Sequence, residues 1–115
     1  MRCKRIVLQM VFVELTPFIA FRQAYWSDDE LRELQNFLLA SPDAGKVIRG
    51  SNGLRKLRWA LQGRGKRGGA RVIYYRYVQG GRLYLIYAYA KATQIDLTPE
   101  QVGVLSDLMK EIDHG

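Results

Sequence analysis

The sequence predicts an α+β fold: two N-terminal helices, a compact antiparallel sheet and a C-terminal helix. Three observations predict it. Two helix starts, Thr16-Pro17 and Ser27-Asp28-Asp29-Glu30, each precede apolar residues at helical spacing. Three strand-like runs then follow, joined by glycine-bearing turns. A third helix start, Thr98-Pro99-Glu100-Gln101, opens the last segment.

In order, Ile6 to Leu15 reads as a strand rich in Val, Ile and Phe. Thr16 is the expected N-cap of the first helix, with Pro17 at the first helical position. Phe18, Phe21, Arg22 and Tyr25 share one face of it. Ser27 and Glu30 form a capping box for the second helix, which runs to about Ala40 and ends at Ser41-Pro42. Its expected apolar stripe is Leu31, Leu34, Phe37, Leu38 and Leu39. Residues 43–53 read as a turn-rich connection. Leu54 to Leu61 alternates, with Lys56 and Arg58 on one side and Leu57, Trp59 and Leu61 on the other. Ala70 to Val78 and Arg82 to Ala90 are two more strands around Gln79-Gly80-Gly81, so the spacing favours an antiparallel meander. The last helix carries Val102, Leu105, Leu108, Met109 and Ile112 on one side.

A chain of 115 residues is long enough for a single domain with one core. We assign residues 10–115 to that domain and residues 1–9 to an N-terminal extension, because Met10 offers an alternative start immediately before VFVEL. Gln9 and Glu14 interrupt the apolar patch near the N-terminus, so it reads as mature sequence rather than a signal peptide. No apolar run approaches the roughly 20 residues of a membrane span. Cys3 is the only cysteine, which excludes an internal disulfide and is compatible with a reducing cytosol. His114, the only histidine, lies next to the last residue. Zinc hydrolysis and Cys/His nucleophilic chemistry are therefore excluded, and no metal site is expected.

Charge is the strongest functional signal. The chain carries +7, and twelve of its 18 Lys and Arg lie between Asp43 and Asp96, where there is no Asp or Glu. Such a concentration calls for a polyanionic partner. Inside it, Gly63-Arg64-Gly65-Lys66-Arg67-Gly68 matches G-x-G-x-x-G literally. A strand follows it rather than a helix, and the next acid is Asp96, so it fails as a dinucleotide fingerprint. No nucleotide cofactor is expected. A flexible cationic loop that approaches phosphates fits better, with Arg64, Lys66, Arg67 and Arg71 as the cations.

Aromatics accompany the cations: Trp59, Tyr74, Tyr75, Tyr77, Tyr84, Tyr87 and Tyr89. Unpaired bases stack on such rings, although a sheet core needs aromatics too and alternation buries about half of them. RNA cleavage needs no metal. A base removes the 2′-hydroxyl proton, that oxygen attacks the adjacent phosphorus in line, and an acid protonates the leaving 5′-oxygen. A Lys crowded by cations is a candidate base, and an Arg suits the charge on the pentacovalent phosphorane. Lys56 is the natural base candidate and Arg71 the transition-state candidate.

The segment GLRKLRWALQGRGKRGGARVIYY, followed by YLIYAYAK and DLTPEQ, resembles the RelE superfamily of bacterial toxins, most of all its HigB-like branch. The likeness runs from about Val11 to the final helix. It implies a RelE-like fold and a ribosome-dependent endoribonuclease that cuts mRNA in the decoding A site, without metal or cofactor. It also implies a cytoplasmic toxin whose partners are the ribosome, mRNA and a cognate antitoxin, often of helix-turn-helix type, with no membrane involved. Positions that match the family's basic residues are Lys56 and Arg58, the loop residues Arg64, Lys66 and Arg67, then Arg71 and Lys91. We take Lys56, Arg58, Arg71 and Lys91 as candidate catalytic residues. Arg55, Arg64, Lys66, Arg67 and Tyr89 are candidate RNA- or ribosome-binding residues. One departure stands out: relatives often continue after the last Lys with Asn-Glu, whereas Lys91 is followed by Ala92-Thr93-Gln94. The alternative is a non-catalytic RNA- or ribosome-binding module, a degenerate toxin. A DNA-binding regulator fits less well, because the cations lie on strands and a loop with no helix-turn-helix evident.

Overall fold

The computed structural model describes residues 10–59, 69–77, 81–91, 93, 94 and 96–114, the last four as helix backbone only. The expected extension over residues 1–9 and the loop with Arg64, Lys66 and Arg67 lie outside the described residues. So do Ala92 and the side chain of Ile112. The elements are β1 (Val11–Glu14), α1 (Thr16–Tyr25), α2 (Asp28–Ala40), β2 (Lys46–Val47), β3 (Arg55–Trp59), β4 (Ala70–Tyr77), β5 (Arg82–Ala90) and α3 (Pro99–His114).

Local capping explains where two helices begin. In α2, Glu30 N–H donates to Ser27 Oγ at 3.1 Å and Ser27 N–H donates to Glu30 Oε1 at 2.9 Å. In α3, Gln101 N–H donates to Thr98 Oγ1 at 3.1 Å and Thr98 N–H to Gln101 Oε1 at 2.9 Å. The expectation for α1 was one residue off. Thr16 is already helical, and the extended Leu15 is the N-cap, without a side-chain bond. Strand β1 runs almost directly into the helix, and the Leu15 carbonyl accepts from Ile19 N–H at 3.0 Å.

The five strands form one sheet in the order β1-β5-β4-β3-β2. Strands β3 to β5 are the expected antiparallel meander, and β2 adds a short antiparallel strand inside the segment expected to be a turn-rich connection. At the far edge β1 pairs with β5 in parallel, Val11 opposite Arg82, which makes the sheet mixed. Both faces are covered, but unequally. Phe18 of α1, Trp26 of the link between the helices, and Leu31, Leu34 and Leu38 of α2 pack on Leu57, Val72, Tyr74, Leu83 and Leu85. On the other face α3 lays Leu105 and Met109 on Leu54, Ile73, Tyr84 and Ile86. Phe37 and Leu39, expected in the α2 stripe, are exposed; a stripe at i, i+3 and i+7 through Leu31, Leu34 and Leu38 already fills the interface. Phe37 instead leans on Trp59, with ring centroids 5.3 Å apart.

One irregularity decides which residues share a face. Ile73 pairs with Tyr87 but Tyr74 pairs with Leu85, so Ile86 is an extra residue in β5. Such a bulge shifts the alternation by one and re-aims the side chains beyond it. Strict alternation from Leu83 would send Tyr87 and Tyr89 towards α1 and α2. With the bulge, both join the α3 face and Ala88 takes the place beneath α1 and α2.

Candidate nucleic-acid interface

The α3 face of the sheet is apolar where α3 covers it and cationic beyond. Arg58, Arg71 and Tyr89 form one row across β3, β4 and β5. Lys46, Lys56, Ile73 and Tyr87 form the row beside it, across β2 to β5. A concavity of about 460 Å³ is lined by Ala44, Lys46, Lys56, Leu57, Arg58 and Arg71. Two like-charged pairs therefore lie in register, Arg58 with Arg71 and Lys46 with Lys56. Among the described residues no carboxylate lies within ion-pair distance of Lys46, Arg58, Arg71 or Lys91. Arg71 Nη1 makes one long bond, 3.4 Å, to the Ala70 carbonyl. These guanidinium groups are free to take phosphate oxygens.

The sequence-predicted residues separate into those brought together and those kept apart. Lys56, Arg58, Arg71 and Tyr89 converge on the α3 face. Lys91 is exposed just past β5, where its N–H donates to Gly69 O at 3.0 Å and extends the β4–β5 ladder by a step. Arg55 lies on the opposite face, opposite Tyr74. Its Nη1 donates to the Gly45 carbonyl at 2.7 Å and its Nη2 lies 3.6 Å from Asp43 Oδ1. It braces the loop before β2 instead of joining the cationic rows. Arg76 does the same, 2.9 Å from Asp43 Oδ1.

Two acids escaped the sequence reading, and they are the very acids that bound the acid-free window. Asp43 folds back on Arg55 and Arg76. Asp96 folds back on the cationic face, with its Oδ1 2.8 Å from Lys56 Nζ and 3.4 Å from the Tyr89 hydroxyl. Leu97 N–H donates to the same oxygen at 2.8 Å. The Lys56 hydrogen bond, and then that of Leu97, hold the Asp96 carboxyl below the usual carboxylate range. Burial first, then the nearby Asp96 charge, pushes the Tyr89 hydroxyl up to about 12. Lys56 is therefore not crowded by cations alone, which was the ground for casting it as a base; an ammonium held in this ion pair would first have to give up its own proton before it could accept one. Tyr89 is 3% exposed, so its ring is not open for a base to stack on. Lys46 was also missed, because a two-residue strand leaves no periodicity to read.

Among the described residues no three His, Cys, Asp or Glu side chains are grouped to hold a metal ion, and no helix is long and apolar enough to cross a membrane. A second cleft of about 390 Å³, between Pro17, Tyr87, Glu100, Gln101, Val104 and Leu105, is apolar and lacks cations.

No protein-family model matches the sequence. Among solved structures, the chain is similar to the Escherichia coli toxin RelE, a double arginine-to-alanine mutant in the free state. The TM-score is 0.54 at 16% identity, over 75% of this chain and 87% of that one. At that identity the likeness is one of architecture, and the α+β fold of this chain is RelE-like.

Proposed function

We propose that this chain is a ribosome-dependent mRNA endoribonuclease, the toxin of a type II toxin–antitoxin module of the HigB-like branch. It cuts mRNA at the A site by attack of a 2′-hydroxyl on the adjacent phosphate. The observation that carries the reading is the row Arg58–Arg71–Tyr89 beside Lys46–Lys56, cations held in register on one sheet face, where among the described residues the carboxylate that meets them is Asp96, at Lys56. Stability alone gives no reason to place like charges in register. A bound phosphodiester supplies one, and two guanidinium groups at one phosphate suit the extra charge of the phosphorane. Arg58 and Arg71 hold and stabilise the scissile phosphate, Lys56 contributes a further donor, and Lys91 lies at the open end of the same ladder. Fold likeness to a toxin supports the class. The partners of this reading are the ribosome with its mRNA, and a cognate antitoxin; its place of action is the cytoplasm.

One observation favours a second reading, an RNA- or ribosome-binding module without cleavage: Lys56 is engaged by Asp96, and no unpaired acid–base couple is open among the described residues. Primer extension on a reporter mRNA in a reconstituted translation reaction tests both. In-frame cuts at the A site that vanish without ribosomes support the toxin. Ribosome binding without cuts supports the module.

A further inference from the structure

We infer that Asp96 is the positioning residue of the cationic site, holding the Lys56 ammonium and the Tyr89 hydroxyl in one geometry through a single carboxylate oxygen. The inference rests on the endoribonuclease reading and assigns a role that reading leaves open. Lys56 is on β3 and Tyr89 is on β5, with β4 between them. A carboxylate that reaches both, at 2.8 and 3.4 Å, links β3 to β5 across β4, the strand that carries Arg71.

Its own position is fixed in turn. The Leu97 N–H donates to its Oδ1 at 2.8 Å, and the Gln94 amide donates to its backbone carbonyl at 3.0 Å. Gln94 also donates to Gln101 Oε1 at 2.7 Å, and Gln101 is the residue that caps α3 through Thr98. The Tyr87 hydroxyl donates to Gln94 Oε1 at 3.3 Å. The connector from β5 to α3 is thus tied to the sheet by two tyrosines that the Ile86 bulge aims at it. A flexible lysine held at this anchor presents its ammonium from one direction, which removes rotamer freedom that a phosphate contact would otherwise have to freeze. The carboxylate touches no reacting atom in this scheme; it acts through Lys56.

The test uses single-turnover cleavage by the full chain at saturating ribosomes, together with affinity for an RNA oligonucleotide. Asp96→Asn keeps an acceptor for Leu97 and Tyr89 and removes the charge that orients Lys56. The expected result is a cleavage rate lower by about 100-fold, the cost of misplacing a reacting group by about 1 Å. Oligonucleotide affinity should be unchanged or tighter, because a negative charge leaves a cationic face. A purely structural role would not predict the coupling: in a Lys56→Ala background, Asp96→Asn should cause no further loss. Wild-type rate in Asp96→Asn, an additive loss in the double variant, or a loss in affinity rather than rate would overturn the inference. A wild type that binds ribosomes and cuts no mRNA would instead end the endoribonuclease reading, and this inference with it.

Discussion

Arg58 and Arg71 stand directly opposite each other across β3 and β4, with no acid beside either among the described residues. Like charges in that relation oppose folding by up to about 1 kcal/mol. Replacing one of them should therefore separate function from stability. Arg71→Gln is expected to melt at the wild-type temperature or slightly above it, while cleavage in the reconstituted reaction is lost. Thermal melts with and without a short RNA check the second half: RNA should raise the wild-type midpoint more than that of the variant. A variant that melts well below wild type would show that Arg71 belongs to the scaffold.

Salt dependence tells the two groups of cations apart. Each phosphate contact that is lost should lower the slope of log affinity against log salt by about 1. Substitution of Lys46, Arg58 or Arg71 by Ala is expected to do so. Arg76→Ala is not, because Arg76 is held 2.9 Å from Asp43 on the face packed by α1 and α2. Fluorescence anisotropy with one labelled RNA at several salt concentrations measures all four. A reduced slope in Arg76→Ala would mean that RNA wraps around both faces.

What was legible in the sequence follows from the range of each interaction. The starts of α2 and α3 were legible because a capping box is complete within four residues, as Ser27 with Glu30 and Thr98 with Gln101 demonstrate. Strand alternation placed Lys56 and Arg58 together for the same local reason. It did not reveal that Leu54, of the same parity, is buried under α3, since which stretch of a face a distant helix covers is a tertiary fact. The parallel β1–β5 pair and the Lys56–Asp96 pair join residues far apart in sequence, and neither leaves a local pattern. The absence of acids between Asp43 and Asp96 suggested a wholly uncompensated surface. Chain reversal at both ends of the window brings those two acids back onto it. The bulge at Ile86 left no signal either, because an apolar strand buried on both sides reads the same with or without a shift.

The Lys56–Asp96 pair has a defined pH signature. The folded-state carboxyl of Asp96 titrates below its ordinary value, so the pair stabilises the fold above the ordinary carboxylate range. That stability is lost as pH falls through the depressed folded value. Wild type and Asp96→Asn should thus differ most at neutral pH and converge in acid. The Asp96 side chain is 61% exposed, so the difference should be at most about 1 kcal/mol and should shrink with added salt. Melts from neutral to acid pH at two salt concentrations read it directly.

Tyr89 carries the opposite sign. Its folded-state hydroxyl is raised to about 12, chiefly by burial, so it contributes stability that is fully present below the ordinary tyrosine value and lost as pH climbs towards the folded one. At neutral pH it is a donor to Asp96 and not a phenolate. Burial raises the Tyr74 hydroxyl too, so a spectrophotometric titration should show more than one late-ionising tyrosine, and Tyr89→Phe should remove one tyrosine's share of the late absorbance change. An undiminished late phase would mean that Tyr89 ionises with the ordinary tyrosines.

The site depends on one more tyrosine, on the far side of the sheet. The Tyr74 hydroxyl accepts from Gly45 N–H at 2.9 Å and donates to the Pro42 carbonyl at 2.8 Å. It fastens the loop that delivers Asp43 to Arg55 and Lys46 to the concavity. Tyr74→Phe leaves a buried N–H without its partner and should cost about 1–3 kcal/mol in chemical denaturation. Gly45→Ala attacks the same contact from the other side, since an added Cβ would lie 2.9 Å from both the Lys56 carbonyl oxygen and the Tyr74 ring. Overpacking of that kind costs about 1–3 kcal/mol. Because both changes break one contact, the double variant should lose less than the two single losses combined. Both single variants should also weaken RNA binding through Lys46, although neither residue faces the concavity. Full additivity would mean that Tyr74 and Gly45 support the loop independently.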